Sequence, residues 1–427
     1  MMPLLRRGAL AVCAGMLARA ALGQGSVEID QVPTQRTIST QERVEADMES
    51  ARLSLGPLHV IPMVVVENAG YDTNVFARPD GQPKIADWTV TAGAGGRALL
   101  PIGPKIYLRF VGVPTYIWYD KLVDRRTWGG DFSGAFLALG NRLSFEAGGS
   151  LAKGTVVLNS ETQATVIETE TVGEANLEVG LTRSLFFVGA AEIHELRYGA
   201  QTVEATTPAS AQAYDRTDAG ALGGLRLKMG SGLSLTAGVQ GTRSDFEEDP
   251  DLRNNETYAI LGGVFWDRPQ FYINVAGGYR RARAVDSAFP RYQTSVGSYF
   301  LSWMVGSTLE IQGFGHRRPV YSIVASNQLY VESRYGGGLG LKLGQRIGLR
   351  GHAETGTNSY PFNVLATGAK RIDKAMDYGG TLSILLLGKT VLRADATRTI
   401  LESPTAPDRK VFRVTTGLSF NGELTRE

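Results

Sequence analysis

This chain is short of the residues on which most enzymes and metal proteins depend. It has one cysteine, Cys13, and four histidines, His59, His194, His316 and His352. Cys13 falls within an N-terminal leader, so the mature chain has no thiol, and disulfides and thiolate metal sites are excluded. Charge of one sign is also lacking. Residues 1–23 hold three arginines and no acid, and their loss leaves 41 basic residues against 42 acidic ones. With no polybasic field, nucleic acid is not an expected partner. No segment is long and apolar enough for a membrane-spanning helix. Phosphate-binding loops, metal-ligand spacings and dinucleotide fingerprints are absent as well, so no cofactor is implied.

The leader itself reads as a secretory signal. Arg6 and Arg7 precede an apolar run from Gly8 to Leu17, and small residues place cleavage after Ala20 or Gly23. Leu10-Ala11-Val12-Cys13 loosely resembles a lipoprotein box, but the apolar stretch before it is very short.

What the chain has is glycine, 52 of 427 residues against a usual share of about 7%, and period-two alternation. In Arg142–Gly154 the apolar set Leu143, Phe145, Ala147 and Leu151 opposes Arg142, Ser144, Glu146 and Ser150. Similar runs recur over 172–182, 346–354 and 411–420. Tight turns fall at Leu100–Lys105, Gly140-Asn141, Thr182-Arg183, Gly230–Gly232, Asp267–Gln270, Gly306-Ser307, Gly344-Gln345 and Gly388-Lys389. Between them lie long loops such as Tyr71–Ala86, Lys153–Thr171, Tyr198–Gln212 and Asn358–Met376. A soluble sandwich also alternates. Strands this long, against about five or six residues in globular proteins, point instead to a membrane barrel, whose strands need about nine to eleven. A mean hydropathy of −0.09 suits a wall that is apolar outside and polar inside.

The fold class is therefore an all-β transmembrane antiparallel up-and-down barrel of about 18 strands, with 16 as the alternative. The least regular alternation is at 295–305 and 377–387. An even count puts both chain ends in the periplasm. The expected organisation is a signal peptide at 1–23, a periplasmic N-terminal segment at 24–56, the barrel at 57–420 and a C-terminal tail at 421–427. In the N-terminal segment, Ser39-x-x-Glu42 resembles a helix capping box. A short periplasmic helix, disorder and a lumen plug are all open for it. Trp88, Trp118 and Trp128 map to the outer rim and Trp266 and Trp303 to the periplasmic ends, as an interfacial aromatic girdle would.

The opening segment RLSLGPLHVIPMVVVENAGYDTNVF, Arg52–Phe76, carries a proline-led strand ending in Tyr71-Asp72-Thr73-Asn74-Val75-Phe76. It resembles the putative beta-barrel porin type 2 family, which includes barrels of exopolysaccharide loci. The resemblance covers about twenty-five residues. It implies a porin-like or exopolysaccharide-export role in the outer membrane and no catalytic residues. Barrels of this kind usually end on an aromatic residue read by the insertion machinery; here Phe420 is followed by Asn421–Glu427.

The inward set mixes signs. Arg109, Arg226, Arg280, Arg334, Arg350, Arg393 and Arg413 accompany Glu146, Glu174, Glu178, Glu192, Glu310, Glu332 and Glu354 as pore-lining candidates. Near-balance predicts weak ion selectivity. A long loop folding inward is expected to set the constriction, and Lys153–Thr171 and Asn358–Met376 are long enough. The first function expected is passive diffusion of small hydrophilic solutes. The second is assistance to polysaccharide export, with Tyr107, Tyr119, Tyr258, Tyr272, Tyr299 and Tyr330 as a sugar path. The weakest is an outer-membrane hydrolase using His194 beside Glu192. Asp72 and Asn74 offer a cation site or, more plainly, a turn motif. The acidic run Asp245–Asp251 offers a calcium loop or, more plainly, a solvated loop. Outer-membrane lipid and lipopolysaccharide are the expected surroundings.

Overall fold

The computed structural model describes residues 40–51, 53–199, 202–204, 208–230, 232–285, 291–322, 328–364, 370–386 and 389–420. Both the signal segment and the tail 421–427 lie outside them. Eighteen long strands follow in order. They are β1 Leu58–Asp72, β2 Asp87–Gly103, β3 Ile106–Tyr119, β4 Thr127–Leu139, β5 Leu143–Val157, β6 Thr165–Gly180, β7 Leu185–Tyr198, β8 Arg216–Met229 and β9 Leu233–Phe246. Then come β10 Asn255–Asp267, β11 Phe271–Ala284, β12 Tyr292–Val305, β13 Leu309–Tyr321, β14 Leu329–Leu343, β15 Ile347–Val364, β16 Lys370–Leu385, β17 Thr390–Ser403 and β18 Ala406–Phe420. Each pairs antiparallel with its neighbours in sequence, and β1 pairs with β18, closing the barrel. A short strand, Leu53–Leu55, adds to the start of β1. Seven of the expected tight turns fall at strand junctions of one end; Gly388 of the eighth lies outside the described residues.

Closure follows from the surroundings a barrel must tolerate. A sheet edge in hydrocarbon leaves backbone groups unsatisfied at several kcal/mol each, and only a closed sheet removes every edge. The outward face is correspondingly apolar, with Phe110, Phe132, Ile193, Val239, Ile260 and Leu339 all exposed. Inward positions carry the charges described below. The two irregular segments form β12 and most of β16. In β12 the inward face carries apolar residues among its polar ones: Val296 packs with Ala259 and Leu261, and the Phe300 ring lies 5.8 Å from Tyr272. With apolar residues on both faces, period two fades.

The seam between β1 and β18 is tight. A bulge between Val66 and Ala69 turns Asn68 to φ 53°. A Cβ on Gly70 would stand 2.0 Å from the Val414 carbonyl oxygen. Gly70→Ala therefore has to part the closing strands. The expected loss is about 1–3 kcal/mol, read as a lower urea midpoint for the folded, heat-modifiable form.

Long loops are the main departure from expectation. Lys153–Thr171 is mostly strand, leaving only residues 158–164 between β5 and β6. Asn358–Met376 is likewise strand up to Val364 and from Lys370. The strands outrun the bilayer, and where both faces are wet the polar sequence reads as loop.

Candidate functional site

The lumen gathers the chemistry. All fourteen pore-lining candidates occupy inward register positions, opposite the exposed apolar set. Most are paired across strands. Arg109 meets Glu146 at 3.3 Å, and Glu178 accepts from Arg226 and Lys228 at 2.6 Å each. Arg350 stands 3.7 Å from Glu310. Glu332 is ringed by His316, Arg318 and Arg334 at 3.0–3.2 Å, and Arg334 also faces Glu354 at 3.8 Å. Arg393 holds Asp395, Arg413 holds Asp72, and Arg280 donates to Gln240. Glu174 and Glu192 are register neighbours. Mutual neutralisation accounts for much of this wall, yet Lys228 and Arg350 keep 45% and 40% of their side chains exposed. Those two leave positive charge open to the bore.

Two elements narrow the lumen, one at each end. At the tight-turn end, α1, Thr40–Ser50, lies inside the barrel against β2, β4 and β5. Val44 is buried with Leu99, Ala135 and Leu137, all inward-facing. Asp47 accepts from Arg97 at 2.6 Å and Thr40 donates to Glu146 at 3.2 Å. Burial, helped by the nearby Arg109 charge, lowers the Arg43 pKa to about 10, so it stays charged at neutral pH. A charged, buried Arg43 next to Arg109 weakens the dock, while Val44 and Asp47 hold it. Of the expected segment 24–56, residues 24–39, Ser39 of the capping box among them, and residue 52 lie outside the described residues.

At the outer end, residues 158–164 cross the bore. They leave β5 and reach β14, nine strands on and half-way round the barrel. Ser160 bonds the Tyr330 hydroxyl at 3.0 Å and Asn358 at 3.3 Å. Glu161 accepts from Ser322, and Arg409 donates to the Glu161 carbonyl at 2.8 Å. Arg413 donates to the Gln163 carbonyl, and Asn159 meets the Tyr214 hydroxyl. Glu161 and Thr162 are buried. This short segment, not the full length of Lys153–Thr171, is what folds inward, and Arg409, its clamp, carries no mark in the sequence.

The Tyr71–Phe76 motif works as a fastening. Asn74 N–H donates to Asp72 at 2.7 Å, and its side chain exchanges two bonds with the Arg78 backbone. The Asp72 carboxylate also accepts from Arg413, and the Phe76 ring packs 4.4 Å under Arg125. With both side chains committed to protein partners, the turn reading stands. In the acidic run, Asp245 pairs with Arg243 and Glu247 with Arg197, as on a solvated loop. His194 bonds Glu170 at 2.8 Å.

The tyrosine path does not form. Tyr258 and Tyr299 share the outward register of Ile260 and Leu301, Tyr119, Tyr272 and Tyr330 are fully buried, and Tyr107 packs beneath α1. All five tryptophans lie on the outward face near strand ends, with Trp128 70% exposed and Trp118 under the Arg126 guanidinium.

No family model and no curated protein matches the sequence. Solved structures do match. A BenF-like porin from Pseudomonas fluorescens Pf-5 superposes with a TM-score of 0.53 at 9% identity, over 86% of this chain and 98% of that one. OccK2 (OpdF) of Pseudomonas aeruginosa, in complex with glucuronate, gives 0.50 at 9% identity, over 84% and 97%. The fold is that of the outer-membrane porins. At this identity the porin likeness extends to the fold alone, and the resemblance to the type 2 family rests on the opening strand.

Proposed function

We propose that this protein is an outer-membrane channel through which small hydrophilic solutes diffuse, narrowed by α1 below and by residues 158–164 above. The observation that carries this reading is the charged, inward-facing wall of a closed eighteen-strand barrel, a size that encloses an aqueous bore. The porin fold and the secretory leader agree with placement in the envelope of a Gram-negative bacterium. The aromatic residues at both strand ends are read as its interfacial girdle.

Liposome swelling tests this reading. Vesicles carrying the folded protein should swell in small sugars and amino acids and stay unchanged in larger oligosaccharides. Vesicles impermeable to every solute, with folded barrel in the membrane, would contradict it.

Selectivity should be weak, because the lumen signs nearly balance. Lys228 and Arg350 are nonetheless among the charges left exposed on the inward face. Lys228→Gln with Arg350→Gln should therefore move the reversal potential in a salt gradient towards cation preference. An unchanged potential would show that the filter lies elsewhere on the wall.

A further inference from the structure

α1 is docked by one face only. Val44 and Asp47 are turned to β2, β4 and β5, and Arg43 is buried beside them. At 3.6 residues per turn, Glu42, Glu45 and Glu49 fall together on the opposite face. All three are exposed, and no basic residue of α1 is. Their spacing of i, i+3 and i+7 makes one stripe along the helix. Three carboxylates therefore look onto the bore where the helix narrows it.

The wall at that height offers the opposite sign. On β8, Arg226 and Lys228 share one carboxylate, Glu178. Glu310, Gly340 and Arg350 lie in one row across β13 to β15, and Lys342 stands two positions along β14 from that row. Lys342 is exposed and makes no ion pair among the described residues. At both places two cations flank one acid. In the ring of eighteen, β14 and β15 come ten strands after β4 and β5, across the lumen from the helix, and β8 lies about a quarter-turn round. Glu146, which Thr40 of α1 touches, and Arg350 are each the fourth residue of a strand counted from the tight turns. The helix and the cationic wall thus stand at one height.

Charges of opposite sign held apart across a narrow, low-dielectric passage set up a field at right angles to flow. A solute with one charge gains at one pole and loses at the other. A solute with an ammonium at one end and a carboxylate at the other gains at both. We propose that α1 and the facing wall are the two poles of such a field, and that the channel passes small zwitterions of the amino-acid class faster than neutral solutes of equal size. Glu42, Glu45 and Glu49 turn the ammonium end towards the helix. Lys228, Lys342 and Arg350 turn the carboxylate end towards the wall. The near-balance of total charge keeps ion selectivity weak, while its separation sets the solute preference. The inference rests on the channel reading above and adds a substrate class to it.

Liposome swelling in alanine, against lactamide as its neutral isostere, is the test. The unaltered protein should admit alanine about threefold faster. Glu42→Gln with Glu45→Gln and Glu49→Gln should bring the ratio to about one and move the reversal potential in a salt gradient towards anion preference. Lys228→Gln with Lys342→Gln and Arg350→Gln should also bring the ratio to about one, with the potential moving towards cation preference. Combining all of these substitutions restores the balance of charge without the poles. The combined variant should return to the unaltered reversal potential and keep a ratio of about one. Should the helix substitutions release α1, seen as entry of larger solutes, the wall variant alone decides. A ratio of about one in the unaltered protein would overturn the proposal, as would an undiminished ratio in the folded wall variant. Vesicles closed to both solutes would contradict the channel itself, so the two failures give different results.

Discussion

Val44→Asp should raise the single-channel conductance roughly two- to fourfold, and deletion of residues 24–50 should do the same. The helix that Val44 anchors is about 10–12 Å across with its side chains, and it occupies the periplasmic part of the bore beside β2, β4 and β5. Burial of Val44 contributes about 1.5–3 kcal/mol. The buried Arg43 opposes that contribution, and the Asp47–Arg97 pair adds to it. A carboxylate at position 44 would have to be buried among Leu99, Ala135 and Leu137, and expelling the helix is the cheaper outcome. Met48 points away, 39% exposed, so Met48→Asp should leave conductance unchanged. Equal conductance for Val44→Asp and the unaltered protein, both folded, would mean that the helix does not limit flow.

The second large effect belongs to the outer constriction. Arg409 is buried and donates to the carbonyls of Glu161 and Thr162. A charge-assisted bond of this kind contributes about 1.5–3 kcal/mol, or roughly tenfold or more in the population of the closed crossing. Arg409→Ala should thus free residues 158–164, admit solutes above the native size limit and speed their swelling rates about tenfold. Glu161→Gln keeps the carbonyl contacts and should have a much smaller effect. If Arg409→Ala leaves the size limit where it was, the crossing is held by Ser160 and Asn159 and not by Arg409.

Much of this architecture was legible in the chain. Strand number, strand order and the tight turns follow from alternation and short polar breaks, because both are local. The same parity sorted the fourteen charged residues onto the inner face. It also bore on the tyrosines: Tyr258 alternates in step with Ile260, which places it outside. Strand ends were misjudged where the barrel rises above the membrane, since a strand wet on both faces loses its apolar rhythm, as at 153–157 and 370–376. The contents of the lumen were least legible. In α1 only Val44 and Met48 are large and apolar, too few to show that the helix is buried, and its partners lie fifty to a hundred residues away. Arg409 meets Glu161 across 248 positions, a contact that exists only once the barrel has closed.

Recording from the unaltered full chain in planar bilayers tests the central claim most directly. Insertion of the folded protein should give discrete, voltage-independent conductance steps, small because α1 and residues 158–164 narrow the bore, with weak preference between ions of opposite sign. Silent membranes containing demonstrably folded barrel, remaining silent after deletion of residues 24–50, would contradict the account of this protein as a channel.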